Sequence, residues 1–319
     1  VLILASRVVL VLLVLAFVGI LALHTLILPR LPEYREQIAR DISLALGVKV
    51  EIGQVRTRAQ GWIPSVTLEQ VTLHDPQGRP ALTLPEIDAT LSLKSLAHWP
   101  IQPRQIVIKH PDLDIRRDAQ GKVWIAGIPI EGHAKGGDPA SARTAADWFL
   151  GLPEFVIEKG RVQWTDELLK TPTLALSDLD LVMRNRRGVT QMRHEWRLDG
   201  TPPKEWGDRF SWRSQMTAPS WLRPSELQRW SGQSYIELPR GDVQRLRQYV
   251  KLPVHVQSGH GALRWWTQWR DGQWIESTTD LQLADVSLRL GKDLAPLDVT
   301  HLQGRLEWLD DGEQQGFAA

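Results

Sequence analysis

Residues 66–73, Val-Thr-Leu-Glu-Gln-Val-Thr-Leu, decide the fold class. Val66 and Leu68 alternate with polar neighbours, and so do Val71 and Leu73. Alternation of this kind marks a strand with one apolar face. Between Leu68 and Val71 the spacing lengthens from two to three, which in a flat strand swings the second half to the opposite face. A β-bulge repairs this by absorbing the extra residue and adding twist; the alternative is a turn into a new strand. The pattern returns as Leu174-Leu176-Leu179-Leu181 and as Leu281-Leu283-Val286-Leu288. A second pattern also comes three times: Gly160-Val162-Trp164, Gly261-Leu263-Trp265 and Gly304-Leu306-Trp308. Here glycine is expected to start a strand at a turn, with the apolar residue and Trp two apart on one face. The copies are unevenly spaced, so no strict solenoid is implied. One sheet lengthened by repeated hairpins competes with a pair of β-sandwich domains, which show the same alternation.

Outward from this stretch the period of two persists. Val48, Val50 and Ile52 precede it; Leu82, Leu84, Ile87, Leu91 and Leu93 follow. Ile106 and Ile108, Leu113 and Ile115, and Val123 and Ile125 continue it, with turns at Asp75–Gly78, Pro100–Pro103 and Asp118–Gly121. The fold expected is mainly β: an elongated, twisted antiparallel sheet curled into an apolar groove, with an N-terminal transmembrane helix and an amphipathic helix. The expected groove lining is Val50, Ile52, Val66, Leu68, Val71, Leu73, Leu82, Leu84, Ile106, Ile108, Leu113, Ile115, Val162, Trp164, Leu263 and Trp265. The polar stretch Glu131–Ser141 is the best linker candidate. Short helices are expected near 142–150, 225–230 and 242–250. The chain then divides into an anchor (1–29), the amphipathic helix with a first groove segment (30–130), a linker (131–146) and a second groove segment (147–319).

Val8–Leu28 is almost continuously apolar, broken only by His24 and Thr25. At 1.5 Å per residue it spans about 30 Å, the thickness of a bilayer's hydrocarbon core. A cleaved signal peptide needs a shorter run and a small-x-small site, which Leu23-His24-Thr25-Leu26 does not offer. A retained single-pass anchor is therefore expected. Arg7 precedes the run and Arg30 and Arg35 follow it, so charge does not set its orientation. Pro32 is expected to open a helix over Glu33–Leu46, with Tyr34, Ile38, Ile42 and Ala45/Leu46 on one face and Gly47 as its C-cap. The chain begins at Val1 and ends just past Asp311-Gly312, a hairpin turn whose second strand is expected to be missing; it reads as the first part of a longer protein.

Composition narrows the function. The net charge is +1, with Lys and Arg scattered, which does not suggest nucleic acid. Cys is absent, which excludes disulfides, Cys-ligated zinc and thiol nucleophiles. There is no P-loop, dinucleotide fingerprint, HExxH or GxSxG, and His194-Glu195 lacks a second His. No catalytic residue, metal or cofactor is expected. Asp112-x-Asp114 and Asp178-x-Asp180 place paired carboxylates as the polar side of a strand does. His255 and His260 flank Ser258-Gly259 and are expected on a solvated turn. Trp265, Trp266, Trp269 and Trp274 form either a sugar-stacking platform or, as we read them, core or groove rim, with Trp265 and Trp269 on one face and Trp266 on the other.

A sheet with one apolar face must cover it. Too little helix is present to do so, leaving a second sheet or an apolar ligand. Burial gains about 0.8 kcal/mol per methylene, so a sixteen-carbon acyl chain gains on the order of 12 kcal/mol. A continuous apolar floor lets such a chain slide without one tight site.

The order of elements resembles a known family. An apolar anchor and Pro-led helix are followed by Leu46-Gly47-Val48-Lys49-Val50-Glu51-Ile52-Gly53-Gln54-Val55, an entry similar to that of the AsmA-like superfamily. Trp62–Leu68, Ile108–Ile115 and Asp118–Gly121 extend the likeness. Tyr235–Leu238 and Gly261–Trp265 resemble the YhdP branch in particular. The resemblance implies a protein held in the bacterial inner membrane by one helix at residues 8–28, with the bulk periplasmic. It implies a β-groove moving phospholipid between inner and outer membranes, no enzymatic activity, and a periplasmic or outer-membrane partner for the C-terminal part beyond this chain. About fifteen strands at about 4.8 Å each give roughly 70 Å of groove, so this segment would be the intake end. An envelope assembly factor that conducts no lipid and a periplasmic glycan-binding protein are the competing readings.

Overall fold

The computed structural model describes residues 28–46, 48–60, 63–75, 77–91, 103–126, 128–129, 146–248, 255–289, 295–310 and 315–318. Contacts divide the chain into two units, Val1–Ile108 and Lys109–Ala319. Residues 1–27, nearly all of the expected membrane anchor, and most of the expected linker 131–146 lie outside the described residues. Among the described residues no helix is long and apolar enough to cross a membrane.

In the first unit a 3₁₀ stretch, Leu28–Tyr34, runs into helix α1, Arg35–Leu46. Pro32 lies inside the 3₁₀ stretch and does not open the α-helix as expected. Its ring clashes with the carbonyl four residues back, so regular i→i−4 bonding begins only after it. Tyr34 is accordingly off the buried face, at 53% exposure. Strands β1 (Val50–Gln60), β2 (Ile63–His74), β3 (Pro80–Leu91) and β4 (Pro103–Lys109) follow in neighbour order. The β2–β3 turn is closed by Gly78 N–H to the Asp75 carbonyl at 2.8 Å, with Gly78 at φ +80. Ile38, Ala39 and Ile42 of α1 pack on Val50, Ile52, Val55, Leu68, Val71 and Leu84. Ser43 pins the helix end to the sheet, its Oγ accepting from Val50 N–H at 2.8 Å.

The lengthened spacing at 68–71 is an irregularity of a particular kind. Gln70 has φ +54, and Leu68 and Val71 are buried together. Yet no residue is absorbed: Ile52 pairs with Val71 and Gln54 with Glu69 in unchanged register, and β3 pairs likewise. All three strands break at one level, β1 at Gly53 and β3 at Pro85. The sheet thus keeps its apolar side by a concerted change of parity. Gly53 is needed there, since a Cβ would lie 2.9 Å from the Gln70 Cβ. Pro85 has no N–H to lose from the ladder.

The second unit repeats the device with true bulges. Asp178 (φ +47) and Asp285 (φ +51) sit at the lengthened step of the other two signatures. Strands β8 (Glu154–Asp166) and β9 (Thr171–Arg187) shift register between Ile157 and Val162, where Lys159 (φ +51) stands. The two interruptions cancel, and the register beyond them is restored. The antiparallel order continues through β10 (Gln191–Thr201), β11 (Phe210–Pro219), β12 (Ser231–Asp242), β13 (His255–Arg270), β14 (Gln273–Arg289), β15 (Leu297–Asp310) and β16 (Gln315–Ala318). A short hairpin of β5 (Asp112–Arg117), β6 (Val123–Ile125) and β7 (Ile128–Pro129) joins through β5, which runs parallel to β8.

Several expectations are corrected. The sheet is mixed, not wholly antiparallel, because β5 meets β8 only after a long crossover. Gly160 and Gly261 lie within strands and do not start them. A Cβ at Gly160 would come within 3.0 Å of Ile157, and one at Gly261 within 2.0 Å of the Gln282 carbonyl oxygen. Crowding beside a bulge, by the Ile157 side chain at Gly160 and by the neighbouring backbone at Gly261, and not turn formation, selects these glycines. His255 and His260 are in β13, not on a turn. The second strand of the last hairpin is present as β16, paired with Glu307–Asp310. Short helices stand at α2, 146–150, at Leu227–Arg229 (3₁₀) and at α3, Val243–Leu246.

Candidate functional site: an apolar sheet face

Directly paired residues of neighbouring strands project to the same side, so the registers assign the faces. In the second unit one row runs Ile157–Leu181–Leu198–Trp212–Ile236–Trp265–Thr279–Leu306 across β8 to β15. A parallel row runs Phe155–Met183–Trp196–Ser214–Ser234–Thr267–Ser277–Trp308. A third carries Leu238, Leu263, Leu281 and Gly304. At about 4.8 Å per strand the eight strands span about 34 Å. Leu113 pairs with Val162 and Ile115 with Trp164, extending the apolar side onto β5.

Among the described residues little protein covers the middle of the first and third rows, whereas Ser214, Thr267 and Ser277 of the second are buried. Trp212, Ile236, Trp265, Leu263 and Leu281 are half-buried, and Leu306 is 43% exposed. Nothing lies within 4 Å of where a Gly304 Cβ would be. Coverage is confined to particular places. Val243 of α3 joins Leu283, Val286 and Leu288 in one cluster. Trp230 joins Met192 and Ala218 in another, against which Trp196, Met216 and Leu150 pack.

The indole rings keep the exposed surface apolar by spending their N–H groups on the sheet. Trp265 Nε1 donates to Ser277 Oγ at 2.8 Å, and Trp269 Nε1 to Thr267 Oγ1 at 3.0 Å. Ser234 Oγ donates to Ser214 Oγ at 3.1 Å. The hydroxyls of this row are thereby satisfied. Trp265 meets Trp274 edge-to-face at 5.9 Å and 80°, and Trp266 stands on the other face beside Tyr235. The rings are not the coplanar platform that sugar stacking uses.

The opposite face is charged. Arg184–Glu154, Arg209–Asp180, Arg213–Asp199, Arg264–Glu237 and Arg305–Asp280 form ion pairs at 2.6–3.2 Å. The Arg305 guanidinium hydrogen-bonded to Asp280 holds that carboxyl below its ordinary range. At the far end of β8, Asp166 is buried against Arg117, whose hydrogen bond lowers the Asp166 pKa. His194 is the buried titratable group of the apolar side. It stacks on Trp230 at 4.0 Å and 10°, and burial pushes its pKa down to about 4. Asn185 Nδ2 donates to the Leu152 carbonyl, which turns its Oδ1 to His194 Nδ1 at 2.6 Å. Nδ1 therefore carries the proton of the neutral ring.

The expected lining falls into two groups. Val50, Ile52, Leu68, Val71 and Leu84 are buried under α1, with Val66, Leu73, Leu82 and Ile108 packed around them and Ile106 half-buried on β4. Leu113, Ile115, Val162, Trp164, Leu263 and Trp265 lie on the apolar side of the second unit. The expected lining left out Leu181, Leu198, Trp212, Ile236 and Trp308 of that side, although Leu181 and Trp308 stand in the repeated strand signatures. Their signal was alternation, as in Met192-His194-Trp196-Leu198, where His194 occupies an apolar position.

Among family models, that of the YhdP protein matches residues 2–319. The chain belongs to the YhdP family. The match agrees with the AsmA-like, YhdP-type resemblance of the sequence. No curated protein and no solved structure matches the chain. In this YhdP-family chain, then, a mainly β, open, twisted mixed sheet presents one apolar and one charged side.

Proposed function

We propose that the apolar side of the second unit carries lipid acyl chains, and that this YhdP-family chain is the intake end of a periplasmic bridge. In this reading the bridge moves phospholipid between the inner and outer membranes. Residues 8–28 hold it in the inner membrane, and the sheet is curled enough to form a groove. One observation carries the reading: an apolar row, interrupted only by Thr279, continues over eight strands, and among the described residues no helix or second sheet lies over its middle. Water against such rows is unfavourable, and an acyl chain lying across them removes apolar area from water on both partners. The continuity of the first row lets the chain move from strand to strand past a single hydroxyl, that of Thr279. Headgroups stay in solvent, because the charged groups sit on the other side of the sheet.

Photocrosslinking side chains placed singly at Leu281 and Leu306, and at Gln282 and Gln303 on the opposite face, test this in cells. Phospholipid adducts are expected at the first two positions and not at the second two. Equal capture on both faces, or none at Leu281 and Leu306 in a protein that still functions, would overturn the proposal. Leu68 and Leu84, the positions favoured by sequence, are poorer probes because α1 lies over them.

A further inference from the structure

We propose that the tip of the β9–β10 hairpin, with the loop that follows β11, is a docking site for an anionic bilayer surface. Val189 at the apex of the hairpin is 98% exposed, and Trp221 is 76% exposed. The two are held side by side through Ser220. Its N–H donates to the Thr190 carbonyl at 3.0 Å and its Oγ to the Gly188 carbonyl at 2.9 Å, while the Arg187 guanidinium donates to the Ser220 carbonyl. A Trp side chain so fixed in water gains nothing from the fold, and its ring suits a membrane–water interface.

The charge around the tip has the matching sign. Arg186 and Arg193 are direct cross-strand partners on the polar face. Like charges in that position repel and destabilise a sheet. Neither guanidinium, nor that of Arg223 beside Trp221, has an ion pair or hydrogen bond among the described residues. The acidic groups nearby are otherwise placed: Glu154 is paired with Arg184, Glu195 stands opposite Arg184, and Glu226 accepts the Arg223 backbone N–H. Guanidinium groups flanking exposed apolar side chains fit lipid phosphates around an inserted tip. A protein partner is less well matched, since a stable protein interface buries about 800 Å² on each side, more than a hairpin apex presents. A bilayer accepts a tip of any size.

The chain has no cysteine, so Val189→Cys carries a single environment-sensitive fluorophore. The labelled full chain, held in nanodiscs, is mixed with vesicles of phosphatidylcholine alone or rich in phosphatidylglycerol. A blue shift and brightening are expected only with phosphatidylglycerol, fading as salt is raised. Each arginine near such a surface is worth about fivefold in partitioning, so Arg186→Gln with Arg193→Gln should weaken it about 25-fold. Trp221→Ser should weaken it as well, and all of these residues are exposed enough to change without unfolding the sheet. A fluorophore that stays water-like with phosphatidylglycerol, responds equally to both lipids, or responds unchanged in the double variant overturns the proposal.

Discussion

The two units treat the same kind of surface differently. In the first, α1 lies over the apolar residues of β1–β3, and Val50, Val71 and Leu84 are at most 7% exposed. In the second, no helix among the described residues lies over the middle of the apolar side of β11–β15, and Leu302, Leu306 and Trp274 are 36–43% exposed. Both units are built from the same signature, with a left-handed residue keeping successive apolar side chains on one side. What differs is cover, and with it what the surface can do. A roofed face stabilises its unit; an unroofed one is free to meet a ligand.

Charge placed on each face should separate these roles most sharply. Val71→Asp sets a carboxylate among five buried aliphatic side chains and should cost about 4 kcal/mol. Leu306→Asp leaves its carboxylate in contact with water and should cost no more than about 1 kcal/mol. Urea unfolding of the full chain, followed by tryptophan fluorescence, measures both. If the two substitutions cost the same, the face at Leu306 is as covered as that at Val71, and the comparison fails.

Acid should act next most strongly, at a covered position of the second unit. His194 is neutral in the fold, its pKa lowered to about 4 from the ordinary 6.5. The unfolded chain binds the proton first. Stability is therefore intact above pH 6.5 and is lost as pH falls toward 4, by about 3 kcal/mol in all. His194→Phe keeps a ring against Trp230 and gives up the Asn185 contact, so it should start less stable but lose this dependence. Comparing urea midpoints of the two proteins between pH 7 and 4.5 tests it. Parallel losses would mean that the ring is hydrated or charged in the fold.

Much of this was legible in the residues because a half-buried strand prints its period on the sequence. Val66–Leu73 and its two relatives predicted strands, and the left-handed residues at Gln70, Asp178 and Asp285 stand where the spacing lengthened. Neighbours were not legible. Asp118–Gly121 announced the β5–β6 hairpin, but nothing local says that β5 takes β8, some forty residues on, as its parallel partner. The row through Ser214, Ser234, Thr267 and Ser277 hid for another reason: hydroxyls at inward positions break the apolar period, and only the register shows them satisfying one another. Which face is roofed was likewise unreadable, since a helix of α1's pattern fits any apolar sheet. Reading Leu68 and Leu84 as open lining, like Leu263 and Trp265, follows from that.

The smallest effect concerns how parity changes in the first unit. Gln70 holds φ +54, a region where a β-branched residue fits poorly. Gln70→Val should cost about 1–2 kcal/mol, whereas Gln70→Gly should stay within about 0.5 kcal/mol of the native chain. Gly53→Ala should also cost about 1–2 kcal/mol, because its new methyl would meet the Gln70 Cβ at 2.9 Å. If β1 and β2 change parity as one event, these penalties share a cause. Removing the Gln70 Cβ makes room for the methyl, so Gly53→Ala with Gln70→Gly should recover most of what Gly53→Ala loses. The full cycle of four proteins, measured by urea unfolding, decides it. Strict additivity would mean that the two strands break independently, and that the shared level of Gly53, Gln70 and Pro85 has no energetic content. Coupling would show why this unit holds its apolar side together without absorbing a residue, while β8 and β9 need a pair of cancelling bulges.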